Sequence, residues 1–257
     1  MFALILLALV LARNGANAFN RIADARINGE NQRTASRPLQ TGSVRKAEAW
    51  AIVIFCFTGL GVCAWRLNPL CLMLLPLAIF IFIFYSYTKC FTWLCRFILG
   101  LACGGAPVGA WAAASGSLAL TPFALGGAMT FWVAGFDIIY ATQDIEFDSR
   151  TGFHSVPARF GLENSLKIAA LSHLAAIGCL VAVSALIPQG ILYFAGILAV
   201  SCCLTYEHFS IRSSGKKKMS FIVYNMNQVV SMTFLAFALT DFFLVKEKIV
   251  WITLPWA

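Results

Sequence analysis

The sequence predicts an all-α fold, a polytopic bundle of transmembrane helices. Three observations carry that prediction. Of 257 residues, 60% are hydrophobic and only 12% are charged, against roughly 45–50% and about 25% in soluble domains. Long apolar runs recur along the chain without the period-two alternation of a membrane β-barrel. Basic residues gather in every second connection between those runs. Together these exclude an ordinary soluble domain, a disordered chain and a nucleic-acid-binding module. The net charge of +8 reads as an orientation signal in loops. Residues 1–257 read as one domain of about eight spans.

Seven runs are long enough to cross a bilayer: 47–65, 68–87, 97–114, 120–142, 168–186, 189–206 and 221–245. The run 68–87 is apolar all round, as a lipid-embedded helix should be, with Pro69 at its start and Pro76 expected to kink it. Gly104, Gly105, Gly109 and Ala110 in the next run suit close helix approach. The eighth segment is the start of the chain, whose apolar core, Phe2 to Ala12, is short. Ala16-Asn17-Ala18 resembles a signal-peptidase site, but no Lys or Arg precedes the apolar core, so the better reading is the second half of a membrane helix. The nine cysteines form no CxxC pair and mostly lie inside apolar runs, where Cys acts as a small hydrophobe.

The alternate connections hold 15 of the 19 basic residues, from Arg21 to Lys46, at Lys89 and Arg96, from Arg150 to Lys167, and from Arg212 to Lys218. By the positive-inside rule these connections are cytoplasmic, in an inner membrane. The Lys216–Lys218 run reads as a topological and headgroup anchor.

Acids are scarce, 11 in all, and costly near a membrane, so their positions inform. Asn20, Asp24 and Asn28 are four residues apart and share one helix face. Asp144 and Asp148 repeat that spacing at the end of the 120–142 run. Oxygen-only ligands suit Mg²⁺, which completes its shell with water and phosphate oxygens. Arg33, Arg37, Lys89 and Arg159 are cations on the same side, and forked Arg donors match diphosphate. The plainer alternative is a set of solvated loops carrying topological charge. His173 reads as a packing residue, Asp137 as either a helix contact or a support for the acids, and Asn225, Asn227 and Gln228 as interhelical contacts or cavity lining.

The order of motifs favours the first alternative. NRIADARINGENQRTASRPLQTG (20–42) resembles the first signature of the UbiA-type membrane prenyltransferases, an Asp-rich motif followed by R-T-x-x-R-P-L. GFDIIYATQDIEFDSRTGFHSVPARFG (135–161) is similar to their second, D-x-x-x-D, signature. YSYTKCFTWLCRFILG (85–100) resembles the aromatic-Lys segment between the two. Within that family the chain resembles the 4-hydroxybenzoate polyprenyltransferases and their menaquinone-pathway relatives.

The resemblance implies a Mg²⁺-dependent transfer of a polyprenyl group from polyprenyl diphosphate to a small aromatic acceptor, with the prenyl tail among helices open to lipid. It implies Asn20, Asp24, Asn28, Asp144 and Asp148 as metal ligands. Asp24, Asp144, Asp148 and Tyr140 would serve the reaction centre, and Arg33, Arg37, Lys89 and His154 the substrates. Three positions depart from the commoner pattern: Arg21 and Asn28 replace acids of the first motif, and His154 stands where many members have Lys. Arg21 and His154 resemble the menaquinone-side members. The family's first signature ends a second span, whereas here it ends the first segment, so the chain reads as one and a half helices short at its start. A transporter using the acids for ion coupling is the competing class, but its acids belong at the bilayer midplane, and here they sit at helix ends.

Overall fold

A computed structural model describes residues 1–31, 33–213 and 216–246. Ten α-helices are present among them: α1 (Phe2–Ala23), α2 (Ala25–Glu30), α3 (Lys46–Leu67), α4 (Pro69–Thr88), α5 (Cys95–Ser115), α6 (Leu120–Ala141), α7 (Ile145–Thr151), α8 (Val156–Leu186), α9 (Ile191–Ser213) and α10 (Lys216–Lys246). Eight helices are long and apolar enough to cross a membrane, which makes the chain an integral multi-pass membrane protein. Their outward faces are apolar, as lipid requires; Phe55, Met73 and Leu120 are each more than two-thirds exposed. In α4, capped by the Asn68 side chain on Cys71 N with Pro69 in its first turn, only Ser86 and Thr88 are buried.

The first segment is helical well beyond its apolar core. Its helix runs 22 residues, about 33 Å at 1.5 Å per residue. The apolar core stops at Ala12, but the buried stripe Leu11, Gly15, Ala16, Phe19 continues at helical spacing against α3. Gly15 is needed there, since a Cβ would lie 2.7 Å from the Phe57 ring. The polar side chain of Asn14 is met within the helix, donating Nδ2 to Val10 O at 2.8 Å.

Helix α5 packs on α6, and α6 on α8. Gly104 and Gly126 bring the backbones of α5 and α6 together: a Cβ on Gly126 would lie 2.6 Å from Gly104 O, and one on Gly104 would strike Thr130 and Gly126. Gly100 does the same against the Thr130 carbonyl, whereas Gly105 and Gly109, also expected to serve approach, face open space. The expected span 168–186 is the membrane part of the longer α8, whose first turn is set off by Gly161 at positive φ (74°). Beneath the polar end of the bundle, Ile138, Ile139, Val156, Ala169 and Ile211 form a core with Trp93, Phe97 and Phe160.

Helices α9 and α10 pair, and buried Asp241 of α10 accepts from Gly190 N and Leu192 N at the start of α9. His173 is buried with Nδ1 3.0 Å from His208 Nε2, while its Nε2 has no hydrogen-bond partner among the described residues. All nine cysteines are free. The side chains of Lys216–Lys218 lie outside the described residues.

Candidate active site

Every residue that the resemblance implies for the site lines one cavity of about 270 Å³. Its walls come from the α1–α2 junction, the segment after α2, the α4–α5 connection and the α6–α8 connection.

The first wall keeps the predicted stripe across a break in the helix. Asp24 leaves α1 at φ −90°, ψ 4°, yet Asp24 N still donates to Asn20 O at 2.9 Å and Asn28 N to Asp24 O at 2.8 Å. The four-residue repeat therefore survives, and Asn20, Asp24 and Asn28 all reach the cavity. On the opposing wall the chain passes from α6 through a 3-10 turn (Thr142–Asp144) into α7, which presents Asp144 and Asp148. Gly152, at φ 74°, ends α7, and Ser155 caps α8 by accepting from Ala158 N. The same Ser155 hydroxyl donates to Asp148 Oδ2 at 2.8 Å.

Acids and cations alternate around the cavity. Lys89 Nζ lies 2.7 Å from Asp24 Oδ2. Arg33 grips Asp144 through Nε (3.0 Å to Oδ1) and through a short Nη2–Oδ2 pair. Its Nη1 donates to Tyr140 OH at 2.9 Å, with the guanidinium 5.0 Å above that ring. Asn31 Nδ2 adds 3.1 Å to Asp144 Oδ1. Arg37 Nη1 donates to Asn28 Oδ1 at 2.9 Å, which leaves the buried Asn28 Nδ2 without a partner among the described residues. Asn20 Nδ2 reaches Ser86 Oγ at 3.4 Å. His154 is exposed at the rim, its backbone N donating to Lys89 O at 2.8 Å.

The two guanidiniums differ in how well their charge is compensated. Burial pulls the Arg37 guanidinium below its ordinary range, and neighbouring Arg21 and Arg33 push it the same way. Burial also disfavours charge on Arg33, but its hydrogen bond to Asp144 and that carboxylate's charge outweigh it and hold Arg33 above its ordinary range.

Arg159 is the one expected cation set elsewhere: its guanidinium lies over Trp93 and Phe160. Arg96, Asn31, Ser86 and Ser155 join the lining without having been singled out by sequence as site residues. Asp137 is a helix contact and a cavity residue at once, 2.7 Å from Arg96 Nη1. Among the described residues no three His, Cys, Asp or Glu gather as a ready metal cluster.

Known proteins agree with this architecture. The family model for the UbiA prenyltransferase family matches residues 1–243. The 4-hydroxybenzoate octaprenyltransferase of Aliivibrio salmonicida (strain LFI1238) is 29% identical over 231 residues, 90% of this chain and 81% of that protein. The protein of the same name from Pseudomonas entomophila (strain L48) is 31% identical over 210 residues, 80% of this chain and 69% of its own length. A UbiA homolog from Aeropyrum pernix K1 superposes with a TM-score of 0.86 at 30% identity, over 93% of this chain and 89% of that one. One from Archaeoglobus fulgidus, bound to DMAPP and Mg2+, gives 0.68 at 22% identity, over 93% and 86%, a likeness of fold. The chain belongs to the UbiA prenyltransferase family.

Proposed function

We propose that this prenyltransferase moves a polyprenyl group from polyprenyl diphosphate to a 4-hydroxybenzoate-type aromatic acceptor in quinone biosynthesis, at the cytoplasmic face of an inner membrane. The observation that carries this reading is the alternation of acids and cations around one cavity at the ends of lipid-facing helices. A diphosphate needs cations at its oxygens, and a divalent ion needs carboxylates. This cavity offers both within one wall-to-wall span. The names of relatives support the acceptor, and an A. fulgidus homolog bound to DMAPP and Mg2+ supports the donor class.

The donor set fits Mg²⁺: Asn20, Asp24, Asn28, Asp144 and Asp148 all present oxygen. These residues would hold the ion, which when bound supplies positive charge to the departing diphosphate. Arg33, Arg37 and Lys89 add charge-assisted hydrogen bonds, and the partnerless Asn28 Nδ2 adds one further donor. Such donors lower the barrier because negative charge grows on the diphosphate as its bond to the prenyl carbon breaks. The acceptor ring then forms the new carbon–carbon bond and gives up a ring proton. Tyr140, held by Arg33, would serve this centre. Phe147 and Phe153, 6.4 Å apart in the lining, keep water from the prenyl cation.

A menaquinone precursor as acceptor is the second reading, favoured by Arg21 and His154 in the cavity wall. One assay tests the set. Membranes bearing the chain receive Mg²⁺, a labelled prenyl diphosphate and either acceptor. Labelled product from 4-hydroxybenzoate supports the first reading, and product from the menaquinone precursor alone supports the second. Solute uptake coupled to an ion gradient, with no product from either, refutes both.

A further inference from the structure

Arg159 is the cation that the cavity leaves out. It sits in the short first segment of α8, before the kink at Gly161, and it is exposed. Its guanidinium lies 5.5 Å from the centre of the Phe160 ring and 5.9 Å from that of Trp93, and the two rings meet edge to face at 5.3 Å. Among the described residues it has no carboxylate partner, and Glu163, one turn on, pairs with Lys167 at 2.9 Å. Arg33, Lys89 and Arg96 each face an acid instead. Both rings are anchored from below, packed against the core of Ile138, Ile139 and Val156. Phe91, Leu94 and Leu162, close to them in the chain, are exposed.

Place decides what such a cation can hold. This shelf joins the α4–α5 connection to the start of α8, at the end of the bundle where those spans leave the bilayer. Trp rings and long basic side chains settle at that level, with ring and stem in the apolar layer and charge among the headgroups. Exposed apolar side chains beside an unneutralised guanidinium match a lipid: its acyl chains cover the former, and its phosphate takes the forked donors of the latter. A soluble anion would meet only the charge. The two rings hold the guanidinium before any ligand arrives, so little side-chain freedom is lost on binding. We propose that Arg159, seated on Trp93 and Phe160, docks the phosphate of an anionic phospholipid in the leaflet on the cavity side. Ser155 caps this same segment and donates to Asp148, so a bound lipid would tether the wall that carries Asp148. The proposal does not depend on the acceptor or on the transfer reaction.

The test is equilibrium binding of labelled phosphatidylglycerol and labelled phosphatidylcholine to the full chain purified in neutral detergent. The wild type should prefer the anionic lipid, and Arg159→Gln should lose about fivefold of that preference, the share of one basic residue near an anionic surface. Arg26→Gln removes the same charge from an exposed arginine already paired with Glu30, and should leave the preference within about twofold. No preference in the wild type, or equal losses from the two variants, overturns the proposal. Weakened binding of prenyl diphosphate to Arg159→Gln with the lipid preference intact also overturns it, and assigns the residue to the substrate. A lowered Tm of Arg159→Gln in neutral detergent with the lipid preference intact does the same, and makes Arg159 a packing residue.

Discussion

Lys89 Nζ meets Asp24 Oδ2 at 2.7 Å, joining the end of α4 to the end of α1. A proposed phosphate-binding cation and a proposed metal ligand thus neutralise each other, and the Arg33–Asp144 pair repeats the arrangement on the far wall. Each pair keeps two charges in a largely buried place without either standing alone, since a lone buried charge costs several kcal/mol, ~3–5 when one partner is removed. Substrate and ion can exchange into such a site charge for charge.

Removing Asp24 should hurt folding, by leaving Lys89 unpaired, and catalysis as well. Asp24→Asn keeps the shape and deletes the charge, and kcat should fall on the order of 10²–10³-fold, the usual effect of losing one electrostatic contact to a transition state. Initial rates across a Mg²⁺ series check this. A rate within about threefold of the wild type would remove Asp24 from the metal set.

Arg33→Lys keeps the charge but loses the fork that holds Asp144 and Tyr140 together. The KM for prenyl diphosphate should rise about tenfold and kcat should fall, because both substrate charge and Tyr140 lose their anchor. Steady-state kinetics in both substrates read this. Unchanged constants would mean that the charge alone suffices.

Asn28 supplies a neutral oxygen where the family's first motif carries an acid, and that oxygen already accepts from Arg37. Asn28→Asp should lower the Mg²⁺ concentration for half-maximal rate several-fold. An unchanged Mg²⁺ requirement with a raised KM for prenyl diphosphate would show that Asn28 serves Arg37 and not the ion.

Within α5 the glycines should separate cleanly. Gly104→Val places side-chain carbon against the backbone of α6 and should lower Tm in detergent markedly, by overpacking worth about 1–3 kcal/mol or more. Gly105→Ala meets open space and should leave Tm unchanged or slightly raised. Equal losses from both would contradict the packing described for α5 and α6.

Much of this was legible in the sequence, and the exceptions have physical causes. A span announces itself by length and hydropathy, so α3, α4, α5 and α6 begin and end within two residues of expectation. Helix α1 was harder, because Arg13, Asn14 and Asn17 mask by polarity a helix that its buried stripe through Phe19 sustains. The start of α8 was hidden because Gly161, non-helical at φ 74°, sets a kink between a short polar first segment and the apolar membrane part. Periodicity placed Asn20, Asp24, Asn28, Asp144 and Asp148 on shared faces, since a four-residue repeat is a local property. It could not place Arg96 or Asn31, whose partners are distant in sequence. Arg159 shows the converse: it shares a connection with the acids, yet its guanidinium turns onto Trp93 and Phe160.

Everything proposed for this cavity turns on Mg²⁺-dependent prenyl transfer. Its most direct measurement is product formation by the purified full chain from prenyl diphosphate and 4-hydroxybenzoate, followed by mass spectrometry through chelation and restoration of Mg²⁺. In the wild type, and not in Asp144→Asn, a prenylated ring acid should form, stop forming when EDTA is added and return with Mg²⁺. Product that forms at full rate in EDTA, or equally in Asp144→Asn, would contradict it.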